Sequence, residues 1–487
     1  MALRAKVRFP ILDSMNRLAL AILTILALSG ESPPSATDSF AHGELTDPVS
    51  CAAAPDQSYT LFLPSSYDPE KRWPVLYALD ARARGSLPAS LFQSAAEELG
   101  WIIVSSNNSM SDDSMTVIVD AMKAIWTDSH ERLSIDDRRV YVAGFSGTAR
   151  FATLAHLLVP VRGVIGVGAG FVPDAPIPTT LPWAYYATAG YEDFNYYELY
   201  ALDERLDSIS GFHRIEYFDG IHSWPPEEIC SRALEWMQIQ AMKQELIPRD
   251  EALIQRSLRG QLQNAQADEA NGRLADAFLI YEGVTEDYSG LDVDLSEVVK
   301  KVETLASLRA VQATLDDRRR RNETDLRIIA EARRRLSAAV APQSGLVHSP
   351  DLIRDIGIAR LKKQANDPRR LDEARSARRI LATLFVQTAF YMPQALFDRG
   401  DGKRAIISLE VADSIRVDDP SVHLGLARAN ALAGNRKRAL REIERAVELG
   451  IRDARVIGSQ PEFESLRDDP RFAEVLSRLE AASTANR

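Results

Sequence analysis

Between residues 50 and 245 the chain alternates short, consecutive apolar runs with longer stretches of helical spacing. The runs fall at residues 59–63, 74–79, 101–105, 139–143, 163–168, 183–189 and 214–218, and several, such as VLYAL and GVIGVG, are apolar at successive positions. A strand apolar at successive positions is buried on both faces, as in a parallel sheet covered by helices. Helical spacing marks residues 89–99, 115–132, 149–158, 196–208 and 226–244. This alternation predicts a doubly wound, mostly parallel α/β domain over residues 49–246, with chemistry at the carboxyl ends of its strands.

From residue 247 the strand-like runs almost vanish and Ala, Leu, Arg and Glu dominate. Gly272, Ala277, Tyr281 and Glu282 share their spacing with Gly400, Ala405, Leu409 and Glu410, and with Gly434, Ala439, Ile443 and Glu444. The last two sets lie about 34 residues apart, a spacing that resembles the helix–turn–helix tetratricopeptide repeat. Residues 247–487 are therefore expected to form an all-α domain of helical repeats. Glycine would make the turn, small alanines would let helices approach, and Pro420 would mark the end of a helix pair. Residues 295–338 read as long charged helices and residues 343–350 as a loop. Such a domain binds a peptide or protein partner, or covers a neighbouring domain.

At the other end, Arg4, Lys6, Arg8 and Arg17 precede the uncharged run LALAILTILAL at residues 18–28. As a helix this run spans about 17 Å, roughly half of a bilayer's hydrocarbon core. Residues 1–29 are thus expected to be a signal peptide, with Ala27 and Ser29 before a cleavage point at Gly30. Residues 30–48 are small and polar and read as a flexible leader. The mature protein is then exported, to a periplasm or outside the cell.

Three strand ends carry candidate chemistry. The run RRVYVAG leads into Gly144-Phe145-Ser146-Gly147-Thr148, and a helix follows. This is a strand–serine–helix turn of the G-x-S-x-G kind, with Thr148 where the last glycine is usual. Gly147 offers a backbone N–H directly after the serine, at the start of a helix, suited to an oxyanion. Among seven histidines, His222 stands on a loop just past the strand RIEYF. His130 and His156 read as ordinary helical histidines, and His213 opens a strand. Between them, strand 183–189 ends at Glu192 and Asp193, either of which could orient the base; Asp193 is preferred. The chain order Ser146, Asp193, His222 is that of α/β-hydrolases. The glycine run at residues 166–170 lacks the G-x-G-x-x-G spacing of a dinucleotide site.

The segments VYVAGFSGTARFA, ATAGYEDFNYYEL and FDGIHSWPPEEICSRALEWM resemble the α/β-hydrolase superfamily, closest to its esterase and polyhydroxyalkanoate-depolymerase-like branch. The resemblance implies Ser146 as nucleophile, Asp193 as orienting acid and His222 as base. It also implies a second oxyanion donor from the loop after PVLYAL. Here that loop reads Leu79-Asp80-Ala81-Arg82-Ala83-Arg84-Gly85, which offers the N–H groups of Ala81 or Arg82.

Composition narrows the possibilities. The 58 basic against 69 acidic residues give a net charge of −11, which excludes the basic surface of a nucleic-acid binder. The 45% hydrophobic and 26% charged fractions are those of a soluble globular protein. Cys51 and Cys230 are too few for a structural zinc site; in an oxidising compartment they are expected to form one disulfide. The expected function is a serine carboxylic ester hydrolase working through an acyl-enzyme, with no metal or cofactor. Its substrate would be a small-molecule or polymeric ester. Two alternatives stand beside it. One is a binding scaffold whose hydrolase domain is inactive, motivated by Thr148 and the unusual 80–85 loop. The other is a serine peptidase with the same triad.

Overall fold

A computed structural model describes residues 40–111, 114–173, 177, 179–343 and 345–485. The expected signal peptide, and the leader as far as residue 39, lie outside the described residues. The chain divides into two compact units. The first runs to Thr188 and takes in Asp203–Glu216 and Trp224–Leu258. The second holds Ala189–Leu202, Tyr217–Ser223 and the chain from Arg259.

The sheet has eight strands: β1 (Leu45–Cys51), β2 (Ala54–Phe62), β3 (Trp73–Leu79), β4 (Ile102–Ser106), β5 (Ile135–Phe145), β6 (Gly163–Val167), β7 (Ala184–Gly190) and β8 (His213–Phe218). Their order is β1-β2-β4-β3-β5-β6-β7-β8. β1 and β2 run antiparallel to each other, β2 is antiparallel to β4, and β3 to β7 are parallel. This is the mostly parallel α/β sheet that the alternating pattern predicts, in the α/β-hydrolase fold that the resemblance implies. Residues 45–48, expected in the flexible leader, belong instead to β1. The sequence LTDPVSC hides this strand because Asp47 and Pro48 read as turn residues. Proline is tolerated at a sheet edge, and β1 is an edge strand.

Helices α1 (Ser86–Leu99), α2 (Met115–Arg132), α3 (Gly147–Ala152), α4 (Tyr196–Leu206) and α5 (Glu227–Lys243) connect or follow the strands. Alternate β3 side chains face opposite ways, as the strand period requires. Leu76 and Ala78 share a core with Phe92 of α1 and Trp236 of α5. Tyr77 points the other way and bonds Ser129 of α2 at 2.7 Å.

That geometry overturns the expected disulfide, because Cys51 and Cys230 are both free and buried. Cys230 belongs to the core beneath α1 and α5. Cys51 ends β1 near Asp128 and Arg132 of α2. The two thiols therefore face opposite sides of the sheet. Burial, and then the Asp128 charge, pushes the Cys51 thiol up to about 11. Burial also pushes the Cys230 thiol far above its ordinary value.

The rest of the chain is helical. It comprises α6 (Glu251–Ala270), α7 (Leu274–Tyr288), α8 (Ser296–Ser307), α9 (Arg309–Ala339), α10 (Ser349–Ile356), α11 (Ile358–Ala365), α12 (Leu371–Val386), α13 (Met392–Phe397), α14 (Gly402–Ile415), α15 (Pro420–Leu432), α16 (Arg436–Leu449), α17 (Ala454–Gly458) and α18 (Pro470–Ala485). The compact-unit division differs from the linear boundary at residue 246. Leu253 and Ile254, early in α6, are buried, and the first unit extends to Leu258. Within the second unit Gly272, Gly400 and Gly434 each take a left-handed φ, at 75°, 71° and 80°. The aligned Ala277, Ala405 and Ala439 are fully buried. Pro420 opens α15, behind Asp419, whose side chain accepts from the Ser421 and Val422 N–H groups. It thus lies at the break between α14, which ends at Ile415, and the next helix, between the glycine turns at 400 and 434. The main core of this unit packs Tyr196 and Tyr197 with Leu336, Ile380 and Leu384.

Candidate active site

The parallel strands converge with their carboxyl ends on one side, and β5 delivers Ser146 there. Ser146 has φ 57° and ψ −118°, a strained conformation for a residue with a side chain. Its N–H donates to Val167 O at 2.8 Å, which ties the turn to the end of β6. A Cβ on Gly144 would lie 2.3 Å from Thr148 O, so only glycine allows this backbone approach. Thr148 is fully buried. Its hydroxyl accepts from Phe145 N–H at 2.9 Å and reaches Leu79 O at 2.5 Å. Threonine in place of the usual glycine therefore joins the ends of β3 and β5 and leaves the turn intact. Gly147 opens α3, so its N–H is one of the groups a helix cannot satisfy internally.

The loop after β3 is organised by Asp80, whose side chain is fully buried. It accepts from Arg82 N–H at 2.9 Å, from Arg84 Nε and Nη2 at 2.9 Å each, and from Trp224 Nε1 at 2.8 Å. Burial raises the Asp80 pKa, but the hydrogen bonds from Arg84, Trp224 and Arg82 outweigh it and hold the carboxyl below its usual range. Of the two expected oxyanion donors, the Arg82 N–H is thus engaged by its neighbour. The Ala81 N–H has no partner among the described residues. The Arg82 side chain is exposed. Ser111 links this loop to the elbow. Its N–H donates to Ala81 O at 3.0 Å, and its Oγ lies 2.7 Å from where a Gly147 Cβ would stand.

Asp193 and His222 lie within the second unit and meet directly. His222 Nδ1 is 2.9 Å from both carboxylate oxygens of Asp193. Asp193 is fully buried, whereas the His222 side chain keeps 17% exposure. Asn195 N–H donates to Asp193 Oδ1 at 2.7 Å. The two loops are laced together by Tyr191 N–H to Phe218 O at 2.8 Å and Glu192 N–H to Gly220 O at 2.9 Å. A Cβ on Gly190 would fall 2.2 Å from Gly220 O, so glycine permits this crossing. Phe194 packs its ring 4.1 Å from the His222 ring.

The competing residues are occupied elsewhere. Glu192 pairs with Arg378. His213 Nε2 lies 3.2 Å from Asp207. His130 is held by Trp126 O and Asp137. A Cβ on Gly166 would meet the Tyr185 hydroxyl at 3.0 Å, consistent with close strand packing. Sequence reasoning did not identify the Asp80 hub, Ser111 or the Phe194 contact. The Asp80–Arg84 pair at i,i+4 and Trp224, two residues after His222, were the signals available for the hub.

No family model and no curated protein matches this chain. Several solved structures are similar to it. The substrate-bound fluorophosphonate-binding serine hydrolase F of Staphylococcus aureus is 14% identical, covering 37% of this chain and 92% of its own, with a TM-score of 0.32. An S-formylglutathione hydrolase from the same organism is 15% identical, covering 41% and 99%, with a TM-score of 0.32. A hyperthermophilic esterase from the archaeon Pyrobaculum calidifontis is 11% identical, covering 47% and 94%, with a TM-score of 0.34.

Proposed function

We propose that this chain is an exported serine hydrolase acting on carboxylic esters through Ser146, His222 and Asp193. One observation carries the reading: a fully buried carboxylate holds His222 Nδ1 at 2.9 Å. An aspartate so placed fixes the imidazole tautomer in which Nε2 is the proton-accepting nitrogen, and it stabilises the imidazolium that forms. The strained Ser146 elbow, followed by an uncommitted Gly147 N–H, adds the nucleophile and an oxyanion donor.

In the proposed mechanism His222 removes the Ser146 proton as the serine oxygen attacks the ester carbonyl. The Gly147 and Ala81 N–H groups stabilise the oxyanion. The imidazolium returns its proton to the leaving alcohol, which leaves an acyl-serine. Water activated by His222 then releases the acid and restores the serine. Export rests on the basic residues and apolar run at 1–29. The left-handed glycines and buried alanines of the helical unit support tetratricopeptide-like repeats, which would bind a protein or peptide partner. Labelling with a fluorophosphonate probe tests the reading: the wild type should label and Ser146→Ala should not. Hydrolysis of p-nitrophenyl butyrate should be insensitive to EDTA. A wild-type protein that neither labels nor hydrolyses would leave an inactive scaffold as the better description.

A further inference from the structure

The acid and base loops both make polar contacts with one helix of the helical region, α12. The side chains of Arg375, Arg378 and Arg379 lie on one face of α12, at the i, i+3, i+4 spacing that brings helix side chains together. Arg379 is almost fully buried. Its Nη1 donates to Tyr191 O at 2.8 Å, two residues before Asp193. Its guanidinium stacks 4.2 Å from the Tyr196 ring centre and bonds the Tyr197 hydroxyl at 3.3 Å. Tyr197 in turn donates to the buried Asp325 of α9 at 2.9 Å. Ser376 of α12 donates to the same Asp325 oxygen at 2.5 Å. Arg378 pairs with Glu192, immediately before Asp193. Arg375 pairs with Asp219 on the base loop and lies 4.7 Å over the Tyr191 ring.

We propose that Arg379 is a positioning residue for the Asp193–His222 pair, assisted by Arg375 and Arg378, so that α12 sets the geometry of the general base. The inference rests on the proposed triad. The chemistry favours arginine at this point. Its planar fork can serve a carbonyl, a phenol and a carboxylate at once while its face stacks on a ring, which the point charge of lysine cannot do. The Tyr191 carbonyl it holds belongs to the same turn whose N–H groups bond Phe218 and Gly220. A shift at this anchor therefore moves the acid and base loops together.

The test compares full-length wild type with Arg379→Lys, and with the double variant Arg375→Gln/Arg378→Gln, whose side chains are partly exposed and whose loss leaves the buried core filled. In p-nitrophenyl butyrate hydrolysis, kcat per phosphonate-titrated site should fall on the order of 10- to 100-fold in Arg379→Lys, with KM little changed. The double variant should show a smaller fall in the same direction. Proton NMR reads the same geometry without turnover. The downfield Nδ1–H resonance of His222, assigned by its loss in His222→Gln, should broaden or vanish in Arg379→Lys. Arg428→Gln, which breaks a pair with Glu462 elsewhere in the helices, should change none of these. A purely structural role would lower the melting temperature but leave kcat per titrated site and the resonance unmoved. That result in both variants overturns the proposal. If wild type fails to turn over, the ester-hydrolase reading fails by itself. The resonance then still decides the positioning role, by its loss or its persistence in Arg379→Lys.

Discussion

Replacing Asp80 by Asn isolates the hub that shapes the loop of the proposed second oxyanion donor. The asparagine keeps the shape but exchanges one acceptor oxygen for an NH2 group facing Arg84 or Trp224, both of which only donate. Hydrogen bonds from buried donors to a charged acceptor contribute about 1.5–3 kcal/mol each and are not additive. The Arg84 side chain is 46% exposed. Its ion pair is therefore discounted to about 1 kcal/mol. A loss of about 3–4 kcal/mol follows, near the cost of leaving a buried charge without its partner. All six tryptophans lie at positions belonging to the first unit, so fluorescence-monitored guanidinium unfolding reports that unit alone. Displacing the Ala81 N–H should also reduce kcat by about 10²- to 10³-fold, the cost of one lost oxyanion donor. The Asp80 pKa is depressed on folding. Its stabilisation is therefore fully present above the unfolded value of about 3.9 and is lost as pH falls through the lower, folded value. The gap between wild type and Asp80→Asn should persist at neutral pH and close only below about pH 4. An unfolding midpoint and a kcat that both match wild type would refute the assigned role of Asp80.

Other expectations follow from single contacts. Denatured but unreduced protein should titrate with two thiols per chain, and the native protein should react slowly at pH 8, since Cys51 is raised to about 11. Gly190→Ala should destabilise by about 1–3 kcal/mol through the overlap with Gly220 O and should lower kcat, as measured by thermal melting and steady-state rates. Thr148→Val should cost about 1–3 kcal/mol in the same unfolding assay, whereas Thr148→Ser should restore most of it. At Gly434, where φ is 80° but a Cβ would meet open space, alanine should cost only about 1–2 kcal/mol.

The sheet was legible because its central strands carry consecutive apolar runs; β3 contains VLYAL and is buried along its length from Pro74. The edge strand β1 was not, because it carries turn-like residues and alternates buried and exposed positions. Ser146 announces itself by small neighbours at fixed spacing, and Asp193 and His222 by their places after strands. The support around them is long-range. Trp224 reaches Asp80 across 144 residues and Arg379 reaches Tyr191 across 188, and no local pattern encodes such pairs. The disulfide expectation failed for the same reason. It drew on compartment and cysteine count, whereas the sheet face on which Cys51 lies and the face that the Cys230 helix covers emerge only from the folded sheet.

The compact units do not coincide with contiguous stretches of chain. The backbone leaves the first unit after Thr188, returns at Asp203, leaves again at Tyr217 and returns at Trp224 before its final departure. The helical region is therefore a poor candidate for exchange by recombination. A crossover near residue 246 would transmit the proposed serine, acid and base together, yet strand the proposed acid and base without the arginines that now contact their loops. Descendants of such an event would need replacement contacts for Tyr191, Glu192 and Asp219 before selection could act on a new partner. Substitutions on α12 and in the two loops should accordingly be inherited as a correlated set, unlike those on helices that only face solvent.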